Sequence, residues 1–273
     1  MFLVVLGLCV LSIPVFAADK QYSSAYDRVM DTGVLRCGYF VWAPHFVIDP
    51  LSGQKSGMIY DVIERLGKVL NLKVEWTLEY SFGTQIESLK TGKIDALCAD
   101  GNWTRGTLPY LDYSVPYVFL AGYAYGLKDN PKIKGFDSLN SPDIRFTNID
   151  GDGSAEYIDL YFPKAKRLSM PATTDSHMLL QNILTGKADA MLNDPLSVDD
   201  FPLDMKSRLR VIGGDQPLGV AGAFVSVQKG EDKLLKMLNQ GIELMNDTGM
   251  IDQILDHYDP SGKKLLRPQK RYR

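Results

Sequence analysis

The chain is short of the residues that build metal and nucleophile sites. Its 273 residues include three His and three Cys. His45, His177 and His257 stand far apart, with none of the close spacing of a ligand cluster, so no metal site is expected. An excess of either charge is also lacking: 30 Lys and Arg against 33 Asp and Glu leave a formal net charge of −3. With no basic run inside the body of the chain, nucleic acid is a poor partner. The basic end, from Lys263 and Lys264 through Arg267 to Lys270, Arg271 and Arg273, reads as a solvated tail. Beyond residue 17 no apolar run is long enough to cross a bilayer.

What is present begins with a leader. Residues 2–15 are apolar, and Val15-Phe16-Ala17 offers cleavage positions, so residues 1–17 are expected to be a signal peptide removed after Ala17. The leader would direct export, so a periplasmic location is expected. Cleavage removes Cys9 and leaves Cys37 and Cys98, each at the end of a strand-like run. An oxidising compartment permits a bridge. Neighbouring parallel strands would strain it, so a disulfide and two buried thiols both stay open.

The most informative pattern is an internal echo. Glu87-Ser88-Leu89-Lys90-Thr91-Gly92-Lys93-Ile94-Asp95-Ala96-Leu97-Cys98-Ala99-Asp100 returns as Gln181-Asn182-Ile183-Leu184-Thr185-Gly186-Lys187-Ala188-Asp189-Ala190-Met191-Leu192-Asn193-Asp194. Each copy reads as a helix end, a Gly stop, a short apolar strand and a final Asp. Two similar α/β lobes are expected, each with an acid at the carboxyl end of a strand, where open α/β sheets bind ligands.

Periodicity supplies the rest. Strands are expected over 34–39, 72–76, 94–98, 144–149, 166–168, 188–192 and 223–227, and helices over 26–30, 82–89, 177–184, 234–245 and 251–258. A further helix starts at Asp61 as its cap, and another near Ala155, capped by Ser154 or Asp152. Alternating strands and helices imply mostly parallel sheets. Residues 117–126 and 213–220 read as crossings between lobes. The expected division is a first lobe over 18–118, a second over 119–216, a return to the first over 217–260 and a tail over 261–273. The fold class is therefore α/β, two similar lobes with mixed, mostly parallel sheets joined by a two-strand hinge, which suits closure on a ligand.

In order and spacing, several segments resemble the periplasmic solute-binding proteins of ABC importers, in the branch that carries polar amino acids. They are Gly33-Val34-Leu35-Arg36-Cys37-Gly38, Pro44-His45-Phe46, Gly57-Met58-Ile59-Tyr60-Asp61, Asp112-Tyr113-Ser114-Val115-Pro116-Tyr117, Gly153-Ser154 and Phe162-Pro163-Lys164-Ala165, together with the two copies of the echo. The resemblance implies a type II periplasmic binding protein fold, no cofactor, a membrane permease as partner and a monomer that closes on a small polar solute. It also implies that Asp194 binds the ligand ammonium and that Ser154 lies at or next to an assisting helix-start hydroxyl.

One implied residue is missing. The Arg that pairs with the ligand carboxylate falls on Thr107, with Thr104 three residues earlier, and Asp100 and Asn102 stand where the family often has Ser. Arg105 is close enough in sequence to substitute. Two acids, Asp100 and Asp194, would border the cleft, with Tyr39, Phe40, Trp42 and Trp103 near in sequence. Carboxylates and aromatic faces together hold ammonium groups, so a cationic or amine-bearing solute is expected. A cleft enzyme of the same fold, a cyclohexadienyl dehydratase-like lyase using Asp100 or Asp194 as proton donor, and a sensor module are the rival readings. No catalytic residue is expected.

Overall fold

A computed structural model describes residues 21–100 and 104–268, with only the backbone of Asp100. The leader, Asn102, Trp103 and the last residues of the basic tail lie outside the described residues. In the first lobe α1 (Ala25–Thr32) leads into β1 (Val34–Tyr39). A short hairpin, β2 (Val47–Ile48) and β3 (Lys55–Ser56), precedes α2 (Met58–Val69), β4 (Lys73–Glu79), α3 (Gln85–Lys90), β5 (Ala96–Asp100) and β6 (Leu111–Tyr113). β7 (Val118–Leu127) crosses to the second lobe. There follow β8 (Arg145–Ile149), α4 (Ser154–Tyr161), β9 (Lys166–Met170), α5 (His177–Leu184), β10 (Ala190–Asn193), α6 (Pro195–Asp200), α7 (Leu203–Lys206) and β11 (Leu209–Ile212). β12 (Gly219–Gln228) returns the chain to α8 (Asp232–Asp247), α9 (Met250–Tyr258) and β13 (Leu265–Leu266).

β1 pairs in parallel with β4 and β5, and β8 in parallel with β9 and β10. The two halves meet through β7 and β12, antiparallel from Gly219 opposite Gly122 to Ala223 opposite Val118. Beyond that stretch the strands part: β12 joins β5 and β6, whereas β7 joins β10 and β11. Two strands thus carry the connection. Each lobe has its own core. Val62, Ile63 and Leu66 of α2 pack with Leu35, Val225 and Leu238 in the first lobe, and Phe146 with Ile158, Phe162 and Ile212 in the second.

The start of α2 differs from the sequence expectation. Gly57 has φ 114°, and a Cβ there would lie 2.4 Å from the His45 carbonyl oxygen. That same oxygen accepts the Ile59 N–H at 2.9 Å, satisfying a donor that a helix start leaves free. The helix therefore begins at Met58. Asp61 lies within its first turn and, rather than capping it, accepts the Tyr258 hydroxyl at 2.6 Å.

The echo has a structural cause. Gly92 and Gly186, at φ 66° and 71°, end the two helix copies in the left-handed region that favours glycine. The Asp three residues later is a strut. Asp95 accepts the Arg36 N–H at 2.7 Å and pairs with the guanidinium groups of Arg28 and Arg36. Asp189 accepts the Arg145 N–H at 3.0 Å and pairs with Lys132 and Arg145. Each lobe ties its first strand to the echoed strand in this way. Beside the first strut, Cys37 and Cys98 form a disulfide between the adjoining β1 and β5, with Cα atoms 5.4 Å apart.

Candidate functional site

A cavity of about 670 Å³ lies between the lobes. The first lobe contributes an aromatic wall. At the end of β1, Tyr39 and Phe40 just beyond it point to opposite sides. Phe40 faces the cavity and stacks on Trp42 with ring centres 5.7 Å apart, while Phe82 lies 5.1 Å from Phe40. Tyr80 completes the wall, fixed by its hydroxyl donating to the Ala99 carbonyl at 2.7 Å. Tyr39 instead enters the core, stacked 5.1 Å from Phe46, and does not line the cavity.

The second lobe contributes carboxylates and helix starts. Asp194 follows β10 and caps α6 ahead of Pro195, the residue type best suited to the first helical position. Its Oδ1 accepts the N–H groups of Leu196 at 2.9 Å and Ser197 at 3.0 Å. Its Oδ2 accepts the Ser197 hydroxyl at 2.6 Å. His45 Nε2, from the first lobe, lies 3.2 Å from both oxygens. Burial pushes the Asp194 carboxyl up, but His45 and the Ser197 donors outweigh this and hold it below the ordinary carboxylate value.

Ahead of α4, Asp152 accepts the Ser154 N–H at 3.2 Å and its hydroxyl at 2.7 Å. The cap position itself is Gly153, with no side-chain cap bond; Asp152, one residue earlier, takes up a helix-start N–H, that of Ser154, whereas the Ser154 hydroxyl bonds Asp152 and caps nothing. Burial pushes the Asp152 carboxyl up, and the Ser154 and Gly153 donors offset only part of this. Tyr157, one turn on, lies against the hinge: a Cβ on Gly219 would be 2.5 Å from its ring. At the start of α5, Asp175 accepts the His177 N–H at 2.8 Å, with the imidazole Nδ1 at 2.9 Å. Burial raises the Asp175 carboxyl, yet these His177 contacts more than offset it and leave it lowered.

Among the described residues, the cavity wall thus carries four acids, Glu79, Asp152, Asp175 and Asp194, and no Lys or Arg. Such a wall attracts cations and repels anions.

Of the residues singled out in the sequence, Phe40, Trp42, Ser154 and Asp194 meet at the cavity. Thr104, Arg105 and Thr107 are not among its described lining. Thr107 Oγ1 is turned inward, accepting the Thr104 N–H at 3.0 Å and the Tyr113 hydroxyl at 2.6 Å. Arg105 is 75% exposed and pairs with Glu156 of the second lobe at 2.9 Å. Asp100 ends β5 opposite Phe224. Sequence reasoning missed Phe82, Asp175 and Tyr157, and gave His45 a place in the resembling Pro44-His45-Phe46 segment but no site role. The position of His45 in the Pro44-His45-Phe46 loop was the available signal.

A family model described as bacterial extracellular solute-binding proteins, family 3, matches residues 35–260. A probable amino-acid ABC transporter-binding protein of Haemophilus influenzae is 26% identical over 242 residues, covering 88% of this chain and 90% of its own length. The L-arginine-binding protein of Pseudomonas aeruginosa is 25% identical over 265 residues, 93% of each chain. Among solved structures, the ancestral amino acid-binding protein AncCDT-1, a precursor of cyclohexadienyl dehydratase, superposes with a TM-score of 0.73 at 26% identity, covering 86% of this chain and 99% of that one. Another structure of AncCDT-1, described as an ancestral cationic amino acid solute-binding protein, gives a TM-score of 0.63 at 28% identity over the same shares.

Proposed function

Because this chain belongs to the bacterial extracellular solute-binding proteins, family 3, we propose that it is the exported receptor of an ABC importer and captures a small cationic, amine-bearing solute. The observation that carries the reading is the cavity wall: four carboxylates and an aromatic face, with no Lys or Arg among the described lining. A guanidinium or ammonium group stacks on rings such as Trp42 and Phe40 while pairing with acids. The names of the L-arginine-binding relative and of the cationic amino acid-binding ancestor support the same solute class. Asp194 and Asp152 are the carboxylates proposed to receive the cation, with Ser154 beside them. Lobe closure about β7 and β12 captures the solute, and the closed form is what a membrane permease recognises. The leader directs export and is proposed to be cleaved after Ala17.

Binding rather than catalysis is the proposed role. The ancestor described as a dehydratase precursor, together with a carboxyl pushed up as that of Asp152 is, favours a lyase as the second reading. An acidic ring substrate would meet this wall with no described cation to hold it. Thermal unfolding of the mature protein against L-arginine, L-lysine, L-glutamine and L-glutamate tests the proposal. The two cationic amino acids are expected to raise the midpoint, by about 2.7 kcal/mol of added stability at a hundredfold excess over Kd. A rise with L-glutamate alone would overturn the reading, and conversion of the bound compound would favour the lyase.

A further inference from the structure

Asp194 has more donors than an ordinary cap. A carboxylate offers about four acceptor positions. Three donors to Asp194 are local to the start of α6: the N–H groups of Leu196 and Ser197 and the Ser197 hydroxyl. The remaining one, His45 Nε2, comes from 149 residues away and from the opposite lobe. Any ligand cation that uses this carboxylate must compete for acceptor capacity, and His45 is the donor that can yield without dismantling α6.

His45 is not free to wander. Its carbonyl oxygen is held by the Ile59 N–H at 2.9 Å. Trp42 and Phe46, on either side, exchange both backbone hydrogen bonds at 2.8 Å. The imidazole is wholly buried, 4.4 Å from the Trp42 ring, and its Nδ1 has no partner among the described residues. Moving the ring away from Asp194 therefore requires a side-chain rotation against Trp42 or a separation of the lobes.

We infer that His45 is a tethered occupant of the Asp194 carboxylate, a side chain of one lobe holding the acid of the other, so that a ligand's ammonium or guanidinium group and His45 compete for it. His45 thereby sets a threshold. Only a cation that binds Asp194 better than the imidazole, or that gains enough from the aromatic wall, displaces it. This rests on the proposed cationic solute.

The test is calorimetric titration of L-arginine into the wild type, His45→Phe and His45→Gln. Phe keeps a ring of similar size and removes the donor, while Gln keeps an N–H donor. The expected result is affinity tenfold or more tighter in His45→Phe, with His45→Gln close to the wild type. Affinity in a cooperatively melting His45→Phe that equals or falls below that of the wild type overturns the inference while leaving the cationic reading intact. Failure of every form to bind L-arginine, L-lysine and agmatine would instead overturn the cationic reading and the inference with it. A measurement without substitution guards against a variant that does not fold. In ¹⁵N spectra of the wild type, saturating L-arginine is expected to shift the His45 Nε2 resonance as its bond to Asp194 breaks. A resonance that stays in place at saturation overturns the inference.

Discussion

The two struts of the echo differ in a way that stability measurements can read. Asp95 has a side chain of 0% exposure, and its partners Arg28 and Arg36 are 13% and 26% exposed. Asp189 is 6% exposed, but its partners Lys132 and Arg145 are 45% and 41% exposed. Removing one member of a buried ion pair leaves an uncompensated charge and costs about 3–5 kcal/mol. Asp95→Asn keeps the shape and part of the hydrogen bonding, so roughly 3 kcal/mol is expected. At this chain length that lowers the unfolding midpoint by about 6–12 °C. Asp189→Asn leaves its partners free to reach water, so its cost is nearer 1 kcal/mol, as for partly exposed pairs. Denaturant unfolding followed by circular dichroism would measure both. Neither variant touches the cavity, so ligand affinity is expected to hold in each. An Asp189→Asn loss equal to or larger than that of Asp95→Asn would refute the argument, because burial of the partners is what separates them.

The disulfide closes a long loop, with a sequence separation of 61, and the chain-entropy relation assigns such a loop about 4 kcal/mol. Cys37→Ala with Cys98→Ala is expected to lose 2–4 kcal/mol in urea titration, and an unchanged midpoint would show that the bridge contributes nothing. Asp194 titrates below its ordinary value of 3.8 in the fold, so its stabilisation is present above that value and is lost as pH falls through the lower, folded one. Asp194→Asn should therefore be about 2 kcal/mol less stable at pH 7, from weakened charge-assisted bonds, with the gap closing in acid. Melting curves at pH 7 and pH 3 are sufficient, and a gap that widens in acid would contradict the assigned contacts. Asp152 is the opposite case. Its carboxyl is raised above 3.8, so ionisation costs the fold stability as pH rises from there through the raised value. Asp152→Asn is expected to melt higher than the wild type at pH 7 yet bind L-arginine more weakly. A variant that keeps full affinity would remove Asp152 from the proposed cation site, and one that loses stability would contradict the raised carboxyl.

Much of the frame was legible because local rules decided it. Residues 34–39 and 177–184 were read with the bounds of β1 and α5, since alternation and helical spacing were strong there. The echo announced two similar units, and the glycines at its centre ended helices in both. Direction was harder. Tyr39 and Phe40 are adjacent, yet the chain leaving β1 sends one into the core and the other into the cavity. Arg105 and Thr107 are two residues apart, yet their turn aims the first at Glu156 and the second at Tyr113. Sequence proximity to a missing Arg carried no information about either direction. Contacts across the lobes were the least legible. His45 and Asp194 are separated by 149 residues, and no local pattern pairs them. The beginning of α2 was misplaced because the His45 carbonyl, a tertiary neighbour, supplied what a capping side chain would have supplied.

The cleft is proposed to select a positive group and to need no cation for a ligand carboxylate. Calorimetric titration of L-arginine against agmatine, the same guanidinium chain without the carboxylate, addresses it most directly. Agmatine is expected to bind within about tenfold of L-arginine, because the described wall offers acids and rings but no Lys or Arg. Tight binding of L-arginine with no binding of agmatine would contradict the account, since a carboxylate-binding group would then dominate the site.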